Sequence, residues 1–310
     1  MSEPTALQRL LQLAEQVRVP EALSREGLAE RFGAPGDLEV DAGQVWRACW
    51  DDVSALLLIT DVEDLTVAAV PVTLDLPAAP GRTVVVDATS TAFGLDAVAW
   101  ISLSGRFPLR VLDQPVDRWQ DDLVASIRGT VVDTSAEPAF ASREMMWAEL
   151  ADDLTALRDV PALPVHVSGE KHTTLRALLG QSLDLRQLVT ALQPLGYTQA
   201  DVMTVLNGKK PLTPDAAATV AEVTGIDPGA IEAAVLALPR DFVAEADHPR
   251  WRHAWQRRAE QHEQDEATGR LEGSYAFFAR AARETGSGPV DWRARLTQYF
   301  QREEQEGSAG

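Results

Sequence analysis

Two of the three lysines in this chain of 310 residues, Lys209 and Lys210, stand side by side just after a segment whose apolar spacing predicts a short helix. Hydrogen-bonding side chains lie along that helix. A glutamine amide can bond an adenine edge through both its atoms, and lysine neutralises phosphate. The pattern predicts contacts with double-stranded DNA through these residues: Thr198, Gln199, Thr204, Asn207, Lys209, Lys210 and, on the preceding helix, Arg186.

The same residues have ordinary structural alternatives. Thr198 can serve only as a helix N-cap, Gln199 can face water, and the segment NGKKP can be a turn whose lysines are solvated. Asp201 lies on the same predicted face and opposes an anionic partner, an effect that Arg186 can offset. A further alternative is a helix pair that serves dimerisation and contacts no DNA.

Five short amphipathic helices are predicted from Thr173 onward, and they position these side chains. The second begins at Asp184, with Gln187 at the spacing of a capping box, and the third begins behind an N-cap at Thr198 and ends at Gly208. The fourth has Thr213 as N-cap and Pro214 as its first residue, and the fifth begins at Asp227. Val202, Met203 and Leu206 form the predicted inward face of the third helix. Two helices joined by a tight turn, with supporting helices, predict a helix-turn-helix domain.

The segment VLNGKKPLTPDAAATVAEVTGIDPGAIEAAV resembles the end of the Cro/repressor-type (XRE) helix-turn-helix domain, in its antitoxin-like branch. The resemblance covers residues 173–236, about one fifth of the chain. It implies a DNA-binding regulator whose third helix reads base pairs. In that family the second helix usually opens with Ser-Gln, where this chain has Asp184 and Leu185, and the turn around Gln193 and Pro194 is longer here. We therefore expect the third helix alone to contact bases.

The first half of the chain has a sequence pattern typical of β-strands. From Gly43, short β-branched and aliphatic runs alternate with turn residues, which predicts a small antiparallel barrel or sheet. Residues 43–113 resemble, more weakly, the PemK/MazF-like toxin barrel through Gly43, Val45, Trp46, Arg47, Pro71 and Thr73. Those toxins cleave RNA with an arginine after the first strand and a Ser or Thr on the third. Here the matching loop contains Asp51 and Asp52 and no arginine, while Thr73 matches the other position.

Other catalytic patterns are absent from the sequence. The chain has no phosphate-binding glycine loop and no nucleophile elbow, and its five histidines do not form a zinc-binding motif. We therefore expect no metal and no cofactor, and we interpret paired acids such as Asp121-Asp122 as solvated surface. A lone cysteine, Cys49, excludes an internal disulfide and fits a buried apolar position.

Charge is distributed unevenly along the chain. The formal net charge is −19, but the first 170 residues hold 12 arginines and 28 acidic residues, whereas the last 140 hold 16 basic and 19 acidic residues. A composition of 45% hydrophobic and 24% charged residues excludes a disordered acidic polymer. Apolar runs such as Ala55 to Ile59 are far shorter than the roughly 18 residues of a membrane span, so we expect a cytoplasmic protein.

Residues 248–303 contain eight aromatic residues in three predicted helical stretches. Trp251 and Trp255 share one helical face, and we place Arg250, Arg257 and Arg258 largely on other faces. This pattern favours a small helical core over a platform for stacking nucleic-acid bases. Since helix-turn-helix proteins of this type read two half-sites, we expect a homodimer.

The predicted fold is α+β. N-terminal helices at 1–36, with one at 5–17, precede a barrel domain at 37–160 with trailing helices at 118–128 and 142–158. A linker from Val160 to Gly169 leads to the helix-turn-helix domain at 171–240 and a C-terminal helical segment at 246–304. The predicted function is sequence-specific DNA binding in transcription regulation, with an acidic N-terminal half open to a protein partner. The alternatives are a toxin-like ribonuclease fused to an antitoxin-like domain, and a non-catalytic interaction scaffold.

Overall fold

A computed structural model describes the following parts of the chain: residues 20–74, 78–79, 81–132, 141–165, 174–180, 184–234, 237–281 and 290–307. The predicted helix at 5–17 lies outside these residues. The chain divides into two units, Met1–Val160 and Pro161–Gly310. The first unit carries all seven strands and the second is helical, so the fold is mixed α+β in the residues described.

The first unit is built on a seven-stranded antiparallel sheet in which β3 is flanked by β2 on one side and by β5 and β6 on the other. The strand order is β4-β5-β3-β2-β1-β7, with β6 paired to β3 beside β5. The strands are β1 (Gln44–Trp50), β2 (Val53–Val62), β3 (Thr66–Thr73), β4 (Val84–Val86), β5 (Ala97–Ala99), β6 (Gly105–Pro108) and β7 (Leu112–Arg118).

This sheet is open, so the predicted barrel is not supported. The end strands of the order are β4 and β7, and closure would require these two to pair. The far edge of β3 is divided between two short strands, since Val72 pairs with Ala99 of β5 while Val67 pairs with Phe107 of β6. Strands of three or four residues form too few ladder bonds to carry the sheet around into a cylinder.

Helices pack against the strands of this sheet. Helix α1 (Arg25–Phe32) contacts β7, where the Arg31 guanidinium donates to the Asp117 carboxylate at 2.8 Å. Helix α2 (Asp121–Gly129) buries Val124 and Ile127 in the core cluster that contains Trp119. Helix α3 (Ala141–Arg158) contacts β2 and β6. The helices predicted at 118–128 and 142–158 are thus confirmed to within three residues.

Five short helices are described in the first part of the second unit, within residues 174–180 and 184–234. The predicted linker begins with Val160 of the first unit, and its residues 161–165 belong to the second, where Val165 forms a parallel bridge to Leu238 and the Leu238 N–H donates to the Pro164 carbonyl at 2.8 Å. The helices are α4 (Leu175–Leu179), α5 (Leu185–Leu192), α6 (Gln199–Leu206), α7 (Pro214–Thr224) and α8 (Pro228–Ala233). Apolar side chains from all five share one core cluster.

In the described residues 237–281 and 290–307, the C-terminal segment contains the helices α9 (Arg240–Ala246), α10 (Arg252–Gln261), α11 (Glu266–Ala281) and α12 (Trp292–Gly307). Aromatic side chains fill its interior, as predicted. The Trp255 and Phe300 rings meet edge to face with centroids 4.8 Å apart, and Phe242 stacks on Phe277 at 5.2 Å. Contacts of this geometry add to the free energy gained from burial alone.

Of the three arginines that the sequence places on faces other than that of Trp251 and Trp255, two are buried. Arg258 is 8% exposed and its guanidinium donates to the Gly269 carbonyl at 3.0 Å, and the Arg250 side chain is 4% exposed. Arg257 alone is exposed, where it pairs with Glu304. Helix α10 packs against α11 on one side, and Arg258 reaches Tyr299 of α12 on another, so the buried arginine lies between helices.

Gly269 allows α10 and α11 to approach closely. A Cβ atom at this position would lie 2.6 Å from the Ala259 Cβ and 2.9 Å from its Cα, both closer than atoms can pack. We expect Gly269→Ala to lower the free energy of unfolding by about 1–3 kcal/mol, because the forced separation outweighs the better helix propensity of alanine. Urea denaturation checks this. The control is Gly129→Ala, where a Cβ meets nothing within 4 Å and unchanged or higher stability is expected.

His248 provides a second test of this segment. Its Nδ1 accepts hydrogen bonds from the backbone N–H of Arg250 at 3.3 Å and from the Arg250 Nε at 2.8 Å. Burial, followed by the positive charges of Arg250 and Arg293, lowers the pKa of His248 to about 3. Below pH ~6.5 the unfolded chain therefore binds a proton that the folded chain does not bind. As the pH is lowered between these two pKa values, the free energy of unfolding decreases by ~1.4 kcal/mol per pH unit.

His248→Asn should reduce this acid sensitivity, because asparagine keeps an acceptor for the Arg250 N–H and does not titrate. The measurement is the urea midpoint at several values between pH 6.5 and 4.5. Replacing the exposed His253 in the same way is the control. An equal pH dependence in the wild type and the His248 variant would contradict the expectation.

Candidate nucleic-acid interface

Helices α5 and α6 are joined by a turn with a defined geometry. Residues Gln193–Leu195 form one turn of 3₁₀ helix, and Gly196 follows in the left-handed region with φ of 83°, which glycine adopts without a Cβ clash. Tyr197 is buried at 6% exposure and leads into the cap of α6. The longer turn expected around Gln193 and Pro194 is thus an ordered 3₁₀ turn.

The start of α5 is capped by Asp184, as predicted. Its carboxylate accepts the backbone N–H groups of Arg186 at 3.0 Å and Gln187 at 3.1 Å, two donors that have no partner within the helix. The return bond from the Gln187 side chain that would complete a capping box is not recorded among the described residues. Arg186 is thereby held in the first turn of α5, with its side chain exposed.

A complete capping box is found at the start of α6. The Asp201 N–H donates to the Thr198 hydroxyl oxygen at 3.2 Å, while the Asp201 carboxylate accepts the Thr198 N–H at 2.9 Å and its hydroxyl at 2.6 Å. These bonds to Thr198, together with one from Lys210, lower the pKa of Asp201 to about 2. Thr198 is therefore committed to the cap, and a negative charge stands in the first turn of α6.

Three more predicted contact residues are engaged within the domain. The Thr204 hydroxyl donates to the Ala200 carbonyl at 2.8 Å, and the Asn207 amide donates to the Met203 carbonyl at 2.8 Å, each one helical turn back. The Lys210 ammonium lies 3.0 Å from an Asp201 oxygen and 5.0 Å from the centroid of the Tyr197 ring. Lys210 thus has two attractive partners of its own.

The other three predicted residues present exposed side chains. Gln199 occupies the first position of α6, Arg186 the second position of α5, and Lys209 follows the end of α6. No side-chain hydrogen bond or ion pair is recorded for them within the described part of the chain. The Lys209 backbone is ordered, because its N–H donates to the Thr204 carbonyl at 3.0 Å past Gly208, which has φ of 69°. One hydrogen-bonding amide and two cations are therefore available to an external polyanion.

The apolar face of α6 holds these groups in place. Val202, Val205 and Leu206 are at most 2% exposed in the core cluster, and Met203 packs against it half-buried. The sequence predicts an inward face of Val202, Met203 and Leu206, whereas in the structure Val205 is buried and Met203 only half-buried. Residues 202, 205 and 206 follow the helical period closely, so α6 cannot rotate without exposing one of them.

Asp201 is the residue whose role sequence reasoning missed. The sequence predicts an acid on the contact face whose negative charge Arg186 can offset. In the structure Asp201 instead forms an ion pair with Lys210 and completes the capping box with Thr198. The spacing of Thr198 and Asp201, with an acid three residues after the threonine, is a signal that the sequence carries.

Residues that match the PemK/MazF-like toxins make contacts within the first unit. The Thr73 hydroxyl accepts the Trp100 Nε1–H at 2.9 Å. The loop after β1 is a two-residue turn, since Trp50 pairs directly with Val53, and Asp51 takes φ of 48° there. Trp46 is fully buried and donates to Gln44 at 2.7 Å. Two acids occupy the tip where those toxins carry an arginine.

The described residues contain no group of three His, Cys, Asp or Glu side chains placed to hold a metal ion. Within the same residues, no helix combines the length and apolarity needed to cross a bilayer. Comparison with protein-family models finds no match, and no curated protein is significantly similar in sequence.

Proposed function

We propose that this protein is a cytoplasmic, sequence-specific DNA-binding regulator of transcription that acts as a homodimer. The observation that carries the proposal is a set of three exposed polar side chains that meet no side-chain partner among the described residues: Arg186 on α5, Gln199 at the start of α6, and Lys209 after its end. The amide of Gln199 is suited to an adenine edge, and the two cations to backbone phosphates.

The other predicted contact residues near α6 form hydrogen bonds within the helix and its cap, and so stabilise the helix that presents Gln199. Thr198 and Asp201 cap α6, while Thr204 and Asn207 bond back to their own helix. The contact set of the proposal is therefore narrower than the seven residues that the sequence indicates. Two cations per copy are few, so we expect modest affinity with a strong dependence on salt, and a dimer that doubles the number of phosphate contacts.

The acidic first unit supports selectivity in this proposal. With 27 acidic residues against 12 arginines in residues 1–160, it repels a polyanion at long range and limits binding to arbitrary DNA. The acidic first unit can also bind a protein partner that has a basic face. Such a partner would regulate the DNA-binding unit.

The direct test is fluorescence anisotropy with two labelled duplexes, one from upstream of the protein's own gene and one of mixed sequence, at several salt concentrations. We expect tighter binding to the first duplex and a linear fall of log K with log salt for both. Analytical ultracentrifugation with and without DNA measures the stoichiometry, where two copies per duplex are expected. Absence of salt-dependent binding to either duplex rejects the proposal.

A further inference from the structure

The ammonium of Lys210 already has an anionic partner at the proposed DNA-contacting end of α6. It lies 3.0 Å from the Asp201 Oδ1 and 5.0 Å from the Tyr197 ring centroid. Both charged side chains are about one third exposed, at 31% each. The pair thus stands at the surface, within reach of a docking phosphate.

Asp201 is held rigidly in this position. Its second oxygen accepts both the N–H and the hydroxyl of Thr198, at 2.9 and 2.6 Å. A carboxylate fixed by hydrogen bonds loses no side-chain freedom when it meets a cation, which favours the ion pair over one formed by two mobile chains. The neighbouring Lys209 differs, because no anion is recorded near it in the described part of the second unit.

We infer that Asp201 is a specificity-determining residue that occupies Lys210 as an internal substitute for a DNA phosphate, so that only Lys209 of the lysine pair contacts the backbone. This inference rests on the proposed DNA-binding function. Phosphate contacts carry no sequence information, and each one withheld lowers affinity for all duplexes alike. A carboxylate in the first turn of α6 also repels phosphates directly. Both effects leave binding more dependent on base contacts such as that of Gln199.

A double-mutant cycle on the full-length protein tests this inference with the mixed-sequence duplex as probe. Lys210→Ala should weaken binding by the wild type less than it weakens binding by the Asp201→Asn variant. Asp201→Asn should tighten binding severalfold and steepen the slope of log K against log salt by ~0.9 per copy, because one lysine is released to a phosphate. In that background Lys210→Ala should reverse the gain, while Lys209→Ala should weaken binding similarly in both backgrounds.

Asp201→Gln is the second variant, since glutamine at this position also completes a capping box and guards against loss of the helix. Thermal unfolding of every protein reports whether the fold is retained. If Lys210→Ala weakens the wild type as much as it weakens the Asp201 variants, Lys210 leaves Asp201 to bind DNA and the inference is overturned. If neither wild type nor variants bind any duplex, the proposed function fails together with the inference.

Discussion

Replacing Arg186 and Lys209 together with alanine is expected to weaken binding to any duplex by about a hundredfold at ~0.1 M salt and to reduce the salt slope by ~2 per chain. Both side chains are exposed and lack an internal partner among the described residues, so their charges are available to neutralise phosphates. Each phosphate neutralised releases about 0.9 of a condensed counterion, and this release dominates the affinity at moderate salt.

The matched control is Arg302→Ala, which removes an exposed arginine from α12 of the same unit without touching α5 or α6. It should leave both affinity and salt slope within about twofold of the wild type. Gln199→Ala complements it, since loss of an adenine contact lowers affinity for the specific duplex by about 1–3 kcal/mol and leaves the mixed duplex nearly unaffected. If Arg302→Ala lowers the affinity as much as the Arg186→Ala/Lys209→Ala double variant does, the assigned interface is refuted.

Arg270→Ala is expected to destabilise the C-terminal segment by about 3–5 kcal/mol. Arg270 is 2% exposed, and its guanidinium donates to Glu266 at 2.8 Å and to the Ala246 carbonyl at 3.2 Å, with Asp247 at 3.5 Å. Asp247 is completely buried. Removal of the arginine would leave buried negative charge that no solvent reaches, and this costs far more than an exposed ion pair contributes.

Hydrogen exchange of peptides from 240–281 measures this effect locally, which matters because the two units of the chain need not unfold together. Arg270→Lys should fall between wild type and alanine variant, since lysine keeps the charge and loses the planar fork. Arg302→Ala again serves as the control. Protection in the alanine variant equal to that of the wild type would show that the buried network contributes nothing.

Local signals in the sequence predicted much of the second unit. Thr198 and Thr213 are N-caps as expected, Pro214 opens α7, and Gly196 follows α5 in a left-handed conformation. These outcomes follow from short-range chemistry, because capping and left-handed glycine depend on residues within one or two turns. Such features survive in almost any tertiary setting.

Long-range pairing in the first unit was harder to predict. Strand β7 does not belong to the β-branched and aliphatic runs that signal strands, because Leu112–Arg118 contains Pro115 and two aspartates, which have low strand propensity. Those aspartates are buried with partners distant in sequence, Asp113 with Arg47 and Asp117 with Arg31. The strand exists because of these contacts and its pairing with β1, and neither can be seen from local pattern.

What the amino-acid sequence by itself determined is the succession of elements, the caps of the helices and the concentration of exposed cationic and amide groups near α6. Tertiary structure decided which of those groups are available. Lys209 and Lys210 are adjacent and chemically identical, yet Lys210 meets Asp201 and the Tyr197 ring, while Lys209 extends from a turn held by Thr204. The distinction arises because an ion pair depends on distance in space, and the eight residues between Asp201 and Lys210 fold back to bring these two charges together.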